Sequence, residues 1–179
     1  MKTITVPTRD QVSTDSQLLF DVMQKRLGKV PNLYATMGRS PFALKAFMNL
    51  EETLNAGAFD PKEREAIALV VSEVNECAYC LAGHTMLAIK RGLTKEETLE
   101  IRKGVVQDPK LNAIVQLAKA ITETKGNPSE QYLTQFYEVG FNEGAVMDLI
   151  GLVIVRLFTN YVFALTNIPV DFPLADSIK

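Results

Sequence analysis

Apolar residues recur three and four positions apart along most of the chain, a spacing that predicts amphipathic helices. They run near 14–28, 41–56, 61–75, 77–91, 94–103, 109–125, 129–139 and 142–166, with a shorter turn at 32–38 after Pro31. β-Branched runs such as Leu69-Val70-Val71 lie inside longer helical patterns, so strand signals are weak. Polar punctuation agrees with this reading. Ser40-Pro41, Asp60-Pro61, Asp108-Pro109 and Asn127-Pro128 each pair a capping side chain with a proline that suits a first helical position. Thr94 and Glu97 are spaced as a capping box, and glycines 57, 92, 104, 126 and 140 follow periodic segments as helix stops do. Short connections favour antiparallel neighbours. The expectation is an all-α bundle in which 1–179 form one domain, with 1–40 as an N-terminal helical arm on a core of 41–179.

Composition narrows the function classes. Of 179 residues 47% are hydrophobic, enough for a sizeable core. Nineteen Lys and Arg against 21 Asp and Glu leave a net charge of −2, which gives no footprint for nucleic acid or an anionic membrane. The segment Met1-Lys-Thr-Ile-Thr-Val-Pro7 has no signal-peptide apolar region. The most apolar stretch, Ala145 to Phe158, is short for a bilayer and carries Asp148 and Arg156. A cytoplasmic protein is expected, and there two cysteines point to chemistry or metal binding rather than to a structural bridge.

The chemistry-bearing residues are concentrated. Glu65, Cys77, Cys80 and His84 follow the pattern E-x11-C-x2-C-x3-H and include both cysteines and the single histidine of the chain. On a helix, a spacing of three places Cys77 and Cys80 on one face with Cβ atoms roughly 5–6 Å apart. Small adjustments then bring the sulfurs to bonding distance, so the pair can cycle between dithiol and disulfide. Val74-Asn75-Glu76 looks like a helix break, which puts Cys77 at a new N-terminus where partial positive charge favours a thiolate. His84 lies one turn after Cys80, within reach of its proton. That makes Cys80 the base-activated thiol and Cys77 its disulfide partner, while the helix-end effect argues for the reverse assignment. Glu65 precedes an apolar run and can approach His84 if the two helices fold back as a hairpin.

Each residue alone has an ordinary account. Small buried cysteines are common in cores, a lone histidine is usually structural, and an acid in a first turn is usually solvated. The combination at this spacing is what indicates a site. Zinc is the sharpest rival, since the same four residues could form a tetrahedral set. A C-x2-C-x3-H run on one continuous helix splays its ligands along a stripe, so no metal and no organic cofactor are expected.

The segment Pro61 to Leu93 resembles the alkylhydroperoxidase D-like (AhpD-like) core of the carboxymuconolactone decarboxylase family, whose signature is similarly a Glu, then C-x-x-C, then a His. Val30-Pro31-Asn32-Leu33, Pro41 and the tail Asn167-Ile168-Pro169-Val170-Asp171 resemble its peroxidase-related subfamily. The resemblance implies an all-α fold, homotrimers or homohexamers, and reduction of alkyl hydroperoxides. It implies Glu65 and His84 as proton-relay acid and base, Cys77 and Cys80 as redox pair, and a lipoylated or thioredoxin-like protein as dithiol reductant. One position departs from it. The hydroperoxidases of the family carry a histidine before the second cysteine, where this chain has Tyr79. A phenol, with an ordinary pKa of about 10, is a poor base but can donate a hydrogen bond to a thiolate or peroxide oxygen.

Two other functions compete with a thiol peroxidase. A lactone decarboxylase would need an anion site, for which Arg64, Lys90 or Arg91 are candidates. A redox-sensing protein would oxidise without turnover. Leu152, Ile154, Leu157, Phe158, Tyr161 and Val162 make one helix apolar around most of its circumference, suited to a core or to a subunit interface. Tyr34, Met37 and Phe47 are candidates for an apolar entrance, with core packing as the alternative.

Overall fold

The computed structural model describes residues 3–178, and the regular elements among them are all helices. They are α1 (Thr14–Leu27), α2 (Asn32–Met37), α3 (Pro41–Leu54), α4 (Pro61–Val74), α5 (Ala78–Lys90), α6 (Lys95–Lys103), α7 (Pro109–Thr124), α8 (Glu130–Glu138) and α9 (Glu143–Thr166), preceded by a 3-10 turn at Arg9–Gln11. The fold class read from the periodicity is therefore the observed one.

The caps explain most of the boundaries. Ser40, Asp60 and Asp108 each accept a backbone N–H from the first turn that follows, with proline just inside. Asp60–Glu63 and Thr94–Glu97 form capping boxes. Pro128 is the exception. Asn127 donates its N–H to Thr124 Oγ1 at 3.1 Å, so it closes α7, and Ser129 stands before α8 instead. Gly57 also differs from the expected stop, because α3 already ends at Leu54. A Cβ on Gly57 would lie 2.6 Å from Asp148 Oδ2, an oxygen that accepts the Ala58 N–H at 2.9 Å. The glycine makes room for α9 to approach.

α4 is the hub. Ala66 to Val71 are almost fully buried, and the helix packs against α5, α6, α7 and α9. A run such as Ala66 to Val71, apolar on all sides of the helix, is stable only when surrounded. The segment before Pro41 packs on the body: Phe20, Met23, Leu33 and Met37 share one apolar cluster with Cys77, Tyr79 and Cys80. α9 runs 24 residues, well beyond the apolar stretch ending at Phe158, so by length and composition it could cross a membrane. Here one face packs against α3, α4 and α7. That face buries Leu149, Leu152, Val153, Arg156, Thr159 and Asn160, while Ile154 and Tyr161 lie exposed.

Candidate active site

Glu76 adopts φ 51°, a left-handed turn, and Cys77 N–H returns to Ser72 O at 2.9 Å. This tight reversal folds α5 back along α4 and places Cys77 before the first turn of α5 as its cap. Cys77 Sγ accepts the Cys80 N–H at 3.3 Å. Both cysteines are buried free thiols.

The sulfurs share a hydrogen bond, and their protonation is unequal. Cys80 is drawn down to about 6, first by the hydrogen bond from Cys77; burial opposes this, and His84 charge and the Asn160 and Thr159 side chains add to it. Cys77 is pushed up, by the same shared hydrogen bond and by burial. The N–H at the helix end favours charge on Cys77, as the opposite assignment held. Cys80 has the larger set of groups that favour its charged form: Cys77, His84, Asn160 and Thr159. Thr159 Oγ1 lies 3.8 Å from Cys80 Sγ and donates to Arg156 O at 2.9 Å. Turning that hydroxyl toward sulfur would provide a donor to the thiolate.

His84 and Glu65 are brought together. His84 Nδ1 lies 2.7 Å from Glu65 Oε2, and Arg91 Nη1 lies 2.5 Å from Glu65 Oε1. Burial pushes the Glu65 carboxyl up, but His84, by charge and hydrogen bond, and then Arg91 outweigh it and hold the group below its ordinary range. The second ring nitrogen, Nε2, faces Arg156 Nη1 at 3.0 Å. A guanidinium can only donate, so Nε2 accepts and Nδ1–H donates to Glu65. With both ring nitrogens engaged in this way, His84 makes no direct hydrogen bond to Cys80. Arg156 is 5% exposed and is held in turn by Glu51. The result is a continuous polar chain, Arg91–Glu65–His84–Arg156–Glu51, with an ion pair at each end and the imidazole between them.

Tyr79 is occupied elsewhere. Its hydroxyl donates to Asp171 Oδ1 and accepts the Leu33 N–H at 3.1 Å, so the proton expected for sulfur or peroxide goes to the C-terminal tail. Burial, and then the bond to Asp171, push the phenol up. Asp171 also receives Lys29 Nζ at 3.0 Å and Asn32 N–H at 3.3 Å. The tail is thereby strapped across a cavity of about 500 Å³ whose wall includes Cys80, His84, Tyr79, Thr159 and Phe172.

Beyond the four spaced residues, the site contains Glu51, Arg156, Thr159, Asn160 and Asp171, none of which was singled out for it. Arg156, Thr159 and Asn160 had a signal: polar residues at i, i+3 and i+4 in the most apolar helix of the chain. Asn160 Oδ1 accepts from Asn75 at 3.1 Å and its Nδ2 donates to Ser72 at 3.3 Å, so it is locked beside the sulfurs. Of the cations considered for an anion site, Arg91 is paired with Glu65, and Arg64 donates to Asn55 O at 3.1 Å and to Phe59 O at 2.5 Å. Lys90 stands exposed on the cavity rim. Tyr34 lines this cavity and a second one of about 280 Å³ behind His84, where it joins Phe47; Met37 lines neither. No group of His, Cys, Asp and Glu suited to hold a metal occurs among the described residues.

The carboxymuconolactone decarboxylase family matches residues 41–123, the segment that holds Glu65, Cys77, Cys80 and His84. The Bacillus subtilis (strain 168) protein YdfG is 30% identical over 98 residues, which are 52% of this chain and 67% of that protein. The chain belongs to the carboxymuconolactone decarboxylase family. Protein 4 of the cox locus of Paracoccus denitrificans is 36% identical over 56 residues, 31% of this chain and half of the relative's length. Among solved structures, the AhpD-core, peroxidase-related protein of Ralstonia eutropha JMP134 aligns with TM-score 0.83 at 19% identity, covering 96% of this chain and 94% of its own. The debrominase Bmp8 in complex with 2,3,4-tribromopyrrole aligns with TM-score 0.79 at 19% identity, covering 96% and 92%. At this identity the likeness is one of fold, and the fold is AhpD-like.

Proposed function

We propose that the protein is a thiol-dependent peroxidase that reduces organic hydroperoxides through Cys80 and Cys77. The observation that carries this reading is a thiol drawn down to about 6 on the wall of a cavity, with a second thiol hydrogen-bonded to it. At neutral pH a thiolate is the populated nucleophile. Its sulfur attacks one peroxide oxygen, the O–O bond breaks, and the leaving alkoxide takes a proton to become an alcohol. The Cys80 sulfenic acid then condenses with the Cys77 thiol, releasing water and forming the disulfide. An external dithiol, on a lipoylated or thioredoxin-like protein, returns both sulfurs to thiols. His84, oriented by Glu65 through Nδ1, serves as the base within the cavity when Nε2 releases the Arg156 N–H.

Purified protein should consume cumene hydroperoxide with dihydrolipoamide as reductant, and Cys80→Ser should abolish turnover. Alkylation of Cys80 should accelerate as pH rises through about 6, because the charged form is the reactive one. Unchanged turnover in the serine variant, or a midpoint near 9, the ordinary thiol value, would exclude the scheme. The exposed side of α9, with Met147, Ile154, Tyr161 and Leu165, supports assembly into a homotrimer or homohexamer, which sedimentation would test.

A further inference from the structure

The cavity that opens onto Cys80 is lined by charges of mostly one sign. Arg26, Lys29, Lys90 and Arg156 contribute to its wall, against the single carboxylate of Asp171. The chain as a whole has a net charge of −2, so this local surplus runs against the average. Two of the four cations are already neutralised, Lys29 by Asp171 and Arg156 by Glu51. Glu51, which feels the charge of Arg26, is thereby committed to Arg156. Arg26 on α1 and Lys90 on α5 are exposed and have no ion-pair partner among the described residues. Much of the remaining wall is apolar, with Leu27, Leu33, Met86, Leu87, Phe172 and Pro173. A volume of about 500 Å³ suits a small organic molecule. Low-dielectric walls strengthen the pull of unpaired cations on an anion, while the apolar surface accepts only a hydrocarbon body.

We infer that this cavity selects hydroperoxides that carry a carboxylate, with the apolar body against the wall and the carboxylate at Arg26 and Lys90. The inference rests on the peroxidase reading and adds a substrate class to it. The chemistry is unchanged: Cys80 takes the outer peroxide oxygen, the O–O bond breaks, and a hydroxy acid leaves after protonation. Water is released when the sulfenic acid meets Cys77, and a dithiol closes the cycle.

The test compares cumene hydroperoxide with its para-carboxylate analogue, which differs only in the charged group. Each is offered to the full chain with dihydrolipoamide as reductant. At low ionic strength, kcat/KM should favour the carboxylate by roughly tenfold, and added salt should shrink that ratio. The double variant Arg26→Gln, Lys90→Gln should bring the ratio close to one. A ratio of one in the unaltered protein, or a preference that survives in the double variant, overturns the inference and leaves the peroxidase reading standing. If neither hydroperoxide is consumed, the peroxidase reading falls and takes the inference with it.

Discussion

The apolar cluster around α4, α7 and α8 holds Ile67, Leu69, Val70, Ile114, Leu117 and Phe136, all at or near zero exposure. The cluster beneath α1, α2 and α3 holds Phe20, Met23, Met37 and Leu44 and also encloses Cys77, Tyr79 and Cys80. The first cluster is closed by shape alone. In the second, Tyr79 and the two thiols are each satisfied by a specific partner: Asp171 and Leu33 for the phenol, Asn160 and Thr159 beside the sulfurs. Burial that would be costly for an unpaired polar group becomes the means of setting its protonation. One half of the bundle therefore supplies stability, and the other holds a poised thiol within a paired surround.

This division can be broken by substitution. The largest effect is expected from Phe136→Ala in the first cluster, which should lower stability by about 3–5 kcal/mol in denaturant titration. The pH midpoint of Cys80 alkylation should stay at about 6 in that variant, and a moved midpoint would show that the two clusters are coupled. Arg156→Met comes next, at about 2–3 kcal/mol, because it strands Glu51, which is only partly exposed. The chain has a single histidine, so nitrogen NMR reads one imidazole ring. It should report Nδ1–H with Nε2 accepting in the parent protein, and a change at Nε2 in the variant; an unchanged spectrum would remove Arg156 from the site.

The same pair gives a pH dependence. Burial raises the Glu51 carboxyl, but Arg156 outweighs it and holds the group below its ordinary 4.5. Its contribution to stability is therefore complete above that value and is lost as pH falls through the lower, folded one. Arg156→Met should flatten this part of the acid limb. The smallest effect is expected from Tyr79→Phe, about 1 kcal/mol for the lost hydrogen bonds. Hydrogen exchange should rise in the tail around Asp171, whose carboxylate loses one partner. A tail equally protected in both proteins would mean that Lys29 and Asn32 suffice to hold it.

What could be read from the sequence follows the distance over which each contact is made. Cys77, Cys80 and His84 lie on one short stretch, and Glu65 reaches His84 across a single hairpin, so spacing alone brought these four residues into view. Helix ends were legible wherever a side chain caps its own helix, as at Asp60 and Asp108. At Pro128 the same pattern misled, because Asn127 bonds backward to Thr124. The Arg156–Glu51 and Tyr79–Asp171 contacts join residues 105 and 92 positions apart, where periodicity carries no register between helices. The position of Tyr79 beside Cys80 suggested a donor for sulfur. The tail decided otherwise, and nothing near Asp171 in the chain announces that it returns to α5.

That returning tail bears on how the chain can be shortened. Trimmed to the family-matched stretch, 41–123, the protein would keep Glu65, Cys77, Cys80 and His84. It would lose Arg156, Thr159, Asn160 and Asp171, together with Phe172 from the cavity wall. Such a fragment would retain the reagents without the vessel, and its sulfurs would titrate as those of an ordinary solvated dithiol.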